Sequence, residues 1–131
     1  MKATARRRHG KLEHDLHVRR HRLQADELHE QGGEDNGPNP QELMAASLAS
    51  CSAITMELYA ERKGWDIGDV VVEVDYEPAQ RGSPTRFELV VKLPKELPDD
   101  QRERLMTIVN KCPVHRTLEG EVMFEERLEL I

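Results

Sequence analysis

The sequence predicts an α+β protein with a largely antiparallel sheet, and three observations carry that expectation. Strand-like segments come in runs around two helical segments, in the order β-β-β-α-β-β-α-β. Such runs favour α+β over a parallel α/β sheet. Residues 40–62 hold a helical pattern that is apolar on nearly every side. The chain has 131 residues, 37% apolar and only 4% aromatic. That length suits one domain over residues 1–131, with a core filled by aliphatic side chains and methionine.

The first run of strands lies in residues 2–26. Gly10-Lys11 separates the first from the second. Leu12, His14, Leu16 and Val18 alternate at period two against Glu13, Asp15 and His17. A tight turn near Arg19-Arg20 leads into His21–Asp26. Residues 29–39 crowd Gly, Asn, Asp and Pro, so they form a loop. The loop ends in a helix start: Asn39 suits the N-cap, Pro40 the first helical position, and Glu42 the acid of a capping box.

The helix predicted from Pro40 to about Arg62 carries Leu43, Met44, Leu48, Cys51, Ile54, Met56 and Leu58 around most of its circumference. An all-round apolar helix is buried. One sheet face cannot cover it, so a second subunit is the simplest cover. Arg62 and Lys63 favour the negative helix end, and Gly64 fits the position after the C-cap. Val70–Tyr76 and Thr85–Leu93 form a hairpin, with Phe87, Leu89, Val91 and Leu93 on one face. Pro98-Asp99-Asp100 opens a second helix with Leu105, Ile108 and Val109 as its stripe. Pro113 ends or re-aims it. Val114–Leu118 reads as a short turn, and Glu121–Ile131 as a last strand with Val122, Phe124 and Leu128 facing inward.

Charge and composition narrow the class. The formal net charge is −6. Residues 1–22 hold eight basic and two acidic groups, leaving a net of −12 on the remainder. A basic arm can touch nucleic acid, but here it is interleaved with histidines on an acidic chain, and a solvated or ion-pairing face is expected instead. No apolar run is expected to reach the roughly 18 residues of a membrane span. No secretory leader is visible. The expectation is a soluble, cytoplasmic protein without nucleic-acid or membrane partners and without a cofactor.

Two cysteines, Cys51 and Cys112, are too few for a secreted disulfide scaffold. Cys51 lies in the most apolar helix, where a free cysteine is commonly a small buried hydrophobe. Cys112 precedes Pro113; if Pro113 opens a helix, Cys112 is its N-cap, and backbone N–H groups with His115 or Arg116 would favour a thiolate. On local grounds Cys112 is the more activated thiol. The pair stands 61 positions apart, so the sequence leaves contact between them open. Cys112 and His115 have ligand-like spacing, but a structural zinc site draws on two such pairs and only one is present, so no metal is expected. Neither a P-loop nor a Gly-x-Ser-x-Gly elbow occurs.

Two stretches resemble the OsmC/Ohr family. One runs from Gly32 through Asn39, Pro40 and Leu43 to Ser50-Cys51-Ser52-Ala53; the other is Cys112-Pro113-Val114-His115-Arg116-Thr117-Leu118. They match the family's two cysteine motifs in order and separation, and the flanking strands extend the likeness over nearly the whole chain. The resemblance implies an OsmC-like fold, with antiparallel sheets wrapped around long central helices in an intertwined homodimer. It also implies a thiol peroxidase that reduces organic hydroperoxides in oxidative-stress defence. Cys51 would attack the peroxide and Cys112 would resolve the sulfenic acid as a disulfide. An external thiol, of lipoyl type in the family, would restore the dithiol. This order reverses the local preference for Cys112.

In the family, an arginine near the end of the first strand compensates the buried thiolate and is held by a glutamate ten positions before the first cysteine. That position is Gln41 here, with Glu42 beside it and about 100° further round the helix. Among Arg6, Arg7 and Arg8, Arg8 is the candidate. The departure at Gln41 leaves a second reading: an OsmC-like protein that binds an apolar ligand at the dimer groove or senses redox state, with little peroxidase activity.

Overall fold

A computed structural model of the chain describes residues 1–94 and 96–131. In order, the elements are β1 (Thr4–Arg7), β2 (His14–Val18), β3 (His21–Ala25), α1 (Pro40–Lys63), β4 (Val71–Glu77), β5 (Arg86–Lys92), α2 (Asp99–Ile108) and α3 (Pro113–Glu119). Short 3-10 turns lie at His29–Gln31 and Val109–Lys111. The α+β class holds, with two small antiparallel sheets. The chain divides into two compact units: Met1–Ala46 with Asp75–Phe87, and Ser47–Val74 with Glu88–Ile131.

In the first unit, β2 is the middle strand of β1-β2-β3, pairing Arg7 with His14 on one side and Val18 with His21 on the other. The β2–β3 turn is therefore the two residues Arg19-Arg20, and Arg19 takes a positive φ of 53°. After β3 the loop is tied to one carboxylate. Asp26 is buried, and its oxygens accept the N–H groups of Glu27 at 2.8 Å and Asn36 at 3.0 Å. The Asn36 and Glu27 amides hold the Asp26 carboxyl below the ordinary carboxylate range. The loop also requires Gly33: a Cβ there would collide with the Glu27 carbonyl. The capping box forms as expected, with Asn39 N–H donating to Glu42 Oε1 at 2.9 Å and Glu42 N–H to Asn39 Oδ1 at 2.8 Å.

In the second unit, α1 ends as the sequence indicates. Gly64 has φ of 71°, its N–H donates to Glu61, and the Trp65 N–H reaches back to Ala60. This is the paired hydrogen-bond pattern of a Schellman stop. Trp65 seals it by packing edge-on against Tyr59, ring centroids 5.6 Å apart. Leu48, Ser52, Met56 and Ala60 form the buried stripe of the helix. Met56 and Ala60 join Ile67, Leu97, Leu105 and Val109 in the core, with Val72, Val91 and Leu93 packed against it. The expected inward faces of the hairpin are the half-buried ones.

Three expectations are corrected. Glu121–Ile131 is not a strand: it has no regular structure and is exposed throughout. A strand exists only where a neighbour accepts its ladder, and among the described residues no strand is paired with this segment. Residues 114–118 are not a turn but part of the helix α3, because Cys112 caps it, Pro113 occupies its first position, and no glycine interrupts it before Gly120. Within one chain, helix α1 is buried along one stripe, and Ile54 and Leu58 are each 53% exposed, so the chain alone leaves part of its apolar circumference uncovered. Finally, α1 is long and apolar enough, by length and composition alone, to cross a membrane. Its charges sit near its ends, and small residues such as Ala, Ser and Cys keep its middle mildly apolar. The core helix of a water-soluble protein passes the same test.

Gly33→Ala is expected to lower stability by about 1–3 kcal/mol through the forced backbone shift. Gly82→Ala, at φ of 84° in open space, should cost only about 1 kcal/mol. Urea unfolding of the two variants, with unchanged m-values, checks the ranking.

Candidate active site

The two cysteines meet within the second unit. Cys51 occupies the fourth turn of α1, on the flank of the Leu48–Ser52–Met56 stripe. Cys112 is brought there because Leu105 and Val109, just ahead of it, pack into the same core as Met56 and Ala60. Pro113 then fixes the first helical position of α3 and leaves Cys112 as its N-cap. The Cys112 Sγ accepts the N–H of His115 at 3.5 Å. The Cys112 thiol is in turn a hydrogen-bonding neighbour of the Cys51 thiol, and both are free.

The two differ in access. Cys112 is 0% exposed, while Cys51 is partly open. Of the two residues, Cys51 is therefore the more accessible. Its electrostatics are mixed. Burial and the Cys112 thiol push the Cys51 pKa up; the Val114 backbone N–H and the Thr55 side chain pull it down, and the upward push prevails. Successive amides of α3 thus serve the two sulfurs, Val114 for Cys51 and His115 for Cys112. The His115 ring is held on the other side by Glu119, with Nδ1 3.1 Å from Oε1. That separation suits an ion pair, although the alignment falls short of a hydrogen bond.

The other candidate residues belong to the first unit. Arg8 follows β1, its N–H donates to the Glu13 carbonyl at 2.9 Å, and its Nε lies 3.5 Å from Asp15 Oδ2. Gln41 and Glu42 are exposed in the first turn of α1, where the Glu42 carboxylate serves the capping box. Two contributors went unread in the sequence, Thr55 and the Val114 amide. Thr55 was legible in principle, since it stands one helical turn beyond Cys51. The amide was not, because it carries no side-chain signature. Among the described residues, no three His, Cys, Asp or Glu side chains gather as metal ligands.

The family model described as OsmC-like protein matches residues 32–127. Among solved structures, the chain is similar to a putative osmotic stress induced and detoxification response protein from Psychrobacter arcticus. The identity is 21% and the TM-score 0.75, over 89% of this chain and 87% of that one. An OsmC-like protein from Mycoplasma pneumoniae matches at 19% identity and TM-score 0.75, over 91% and 86%. An organic hydroperoxide resistance protein from Legionella pneumophila matches at 24% identity and TM-score 0.62, over 91% and 88%. At these identities the likeness concerns the fold. No curated protein matches the chain.

The raised pKa sets how Cys51 reacts. Only the thiolate is nucleophilic, so alkylation of Cys51 by iodoacetamide should rise with pH about a midpoint above that of an ordinary cysteine. In Cys112→Ala the midpoint should move down, because the neighbouring thiol is gone while burial persists. Mass-spectrometric alkylation rates across pH check both; a midpoint below the ordinary value in the intact chain would contradict the site electrostatics.

Proposed function

The chain belongs to the OsmC family, and we propose that it is a cysteine-dependent peroxidase that reduces organic hydroperoxides. One observation carries the reading: two free cysteines, far apart in sequence, touch inside one compact unit, the accessible one backed by the buried one. Supporting it, similar folds include a protein described as an organic hydroperoxide resistance protein.

The steps follow from that arrangement. The Cys51 thiolate attacks one peroxide oxygen; an S–O bond forms, the O–O bond breaks, and the alkoxide leaves to take up a proton as the alcohol. Cys51 is then a sulfenic acid. Cys112, already in contact, gives up its proton and attacks the Cys51 sulfur, and hydroxide leaves as water. Both thiols are oxidised to one disulfide and the hydroperoxide is reduced to alcohol and water. An external dithiol, of lipoyl type in this proposal, reduces the disulfide by exchange.

The demanding step is ionising Cys51. Val114 N–H and Thr55 favour the thiolate but do not outweigh burial. By its resemblance to the family, this reading assigns the missing positive charge to Arg8 and substrate binding to Gln41 and Glu42. It also includes a homodimer. The exposed apolar side chains of α1, Met44, Ile54 and Leu58, and those of the tail, Phe124 and Leu128 among them, support a second copy as their cover. A cytoplasmic location belongs to the same reading, since a reducing compartment restores the dithiol.

The raised Cys51 pKa also favours a second reading, in which the thiols only sense and the fold holds an apolar ligand. One experiment separates them. After one equivalent of cumene hydroperoxide, the peroxidase reading expects loss of both thiols and a Cys51–Cys112 peptide by mass spectrometry. Two intact thiols would favour ligand binding. Cys51→Ser should lower peroxide consumption by at least about a thousandfold, and Cys112→Ser should trap the sulfenic acid on Cys51; a fully active Cys51→Ser protein would refute the assignment.

A further inference from the structure

Away from the thiols, a second polar group gathers at the C-terminal end of α1, around Tyr59. Arg104 of α2 donates from Nε to the Tyr59 hydroxyl at 2.9 Å, and its guanidinium carbon lies 5.7 Å from the ring centroid. The Lys63 ammonium lies 5.6 Å from the same centroid. Lys111, in the turn after α2, is near enough for its charge to act on the phenol. Trp65 holds the ring from its edge. The Arg104 hydrogen bond, followed by the charges of Arg104, Lys63 and Lys111, keeps the Tyr59 hydroxyl below the ordinary tyrosine range against an opposing push from burial.

The cluster gathers Arg104 and Lys63 on one aromatic ring without a counter-charge. Some cations elsewhere have carboxylates: Arg8 has Asp15, Arg86 has Glu77, Lys92 has Glu73 and Arg102 has Asp99. Among the described residues, no carboxylate lies within ion-pair distance of Lys63, Arg104 or Lys111, although Glu61 and Glu103 stand on the same helices. Like charges gathered at one ring, with a third nearby, repel one another, and contact with an aromatic face offsets only part of that. All three cations are exposed and so open to a ligand. An anion seated among them would meet two flexible ammonium groups, the unused N–H groups of a planar guanidinium and a phenolic O–H donor.

We propose that Tyr59, Lys63, Arg104 and Lys111 form a binding site for a phosphate group carried by a small molecule. A phosphate brings nearly two negative charges and several strong acceptor oxygens, which match three cations better than a carboxylate does. The inference rests on nothing in the thiol chemistry and stands or falls separately from it.

The test reads Tyr59 itself. The chain has two tyrosines, so Tyr76→Phe leaves Tyr59 as the one phenol whose ultraviolet absorbance titrates. Inorganic phosphate should raise the Tyr59 midpoint saturably, because the anion binds the neutral phenol better than the phenolate. Sodium chloride at the same ionic strength should not reproduce a saturable shift. Phosphate affinity should fall about tenfold or more in Arg104→Gln and in Lys111→Gln; the second variant keeps the test open if the first misfolds. Lys92→Gln, on β5, should bind as the parent does. Equal midpoints in phosphate and chloride, or unchanged affinity in both variants, would overturn the proposal.

Discussion

The candidate site depends on a four-residue spacing of small and apolar side chains along α1. Leu48, Ser52, Met56 and Ala60 follow one another at nearly one turn each and stay on one side of the helix. The far half of that stripe is the seat on which Leu105 and Val109 pack. Once α2 and the turn after it are seated there, the chain has three residues to run from Val109 to Cys112, and Cys112 arrives beside Cys51. The pairing of two residues 61 positions apart is thus a consequence of packing one turn further along. Ser52 shows how strongly the spacing holds. Its hydroxyl is buried without a hydrogen-bond partner among the described residues. Such a burial costs about 1–3 kcal/mol, which the surrounding apolar packing has to offset.

That same packing opposes the chemistry it enables. Bringing a second thiol against Cys51 shortens the path to a disulfide, but it removes water and adds a group that resists ionisation. The fold answers in part through α3. Pro113 has no N–H, so the first free amides of that helix are those of Val114 and His115, and each is directed to a sulfur. A peroxide-reducing thiol needs more than this, which is why the proposed function includes a cation.

The sequence made the local features legible and the collective ones much less so. Asn39, Pro40 and Glu42 marked the start of α1, and Gly64 its end, because capping is decided within a few residues. The Cys112 cap was readable for the same reason. Local reasoning nevertheless ranked Cys112 as the more reactive thiol, and it could not see that packing would shut Cys112 away while leaving Cys51 partly open. The tail failed for the complementary reason. Its alternation of apolar and polar residues suits a strand, but pairing is supplied by a neighbour, and periodicity does not say where the neighbour is. The all-round apolar pattern of α1 likewise described what the helix can bury, not what one chain gives it to bury against.

The two ends of α1 in the second unit carry different chemistry, and helix geometry keeps them apart. From Cys51 to Tyr59 is eight residues, about 12 Å along the axis and about 80° around it. A group bound among Lys63, Arg104 and Lys111 therefore does not lie on Cys51, and its charge would reach the sulfur weakly across a screening solvent. The separation also explains how opposite electrostatics coexist on one helix. At Cys51 burial wins and the pKa is pushed up; at Tyr59 the Arg104 hydrogen bond and the nearby cations win and the pKa is pulled down. The difference lies in what packs against each residue. Cys51 faces another thiol, whereas Tyr59 faces the polar side of α2, where Arg104 stands next to the buried Leu105. One face of α2 thus fixes the core while the adjacent position sets the charge around Tyr59.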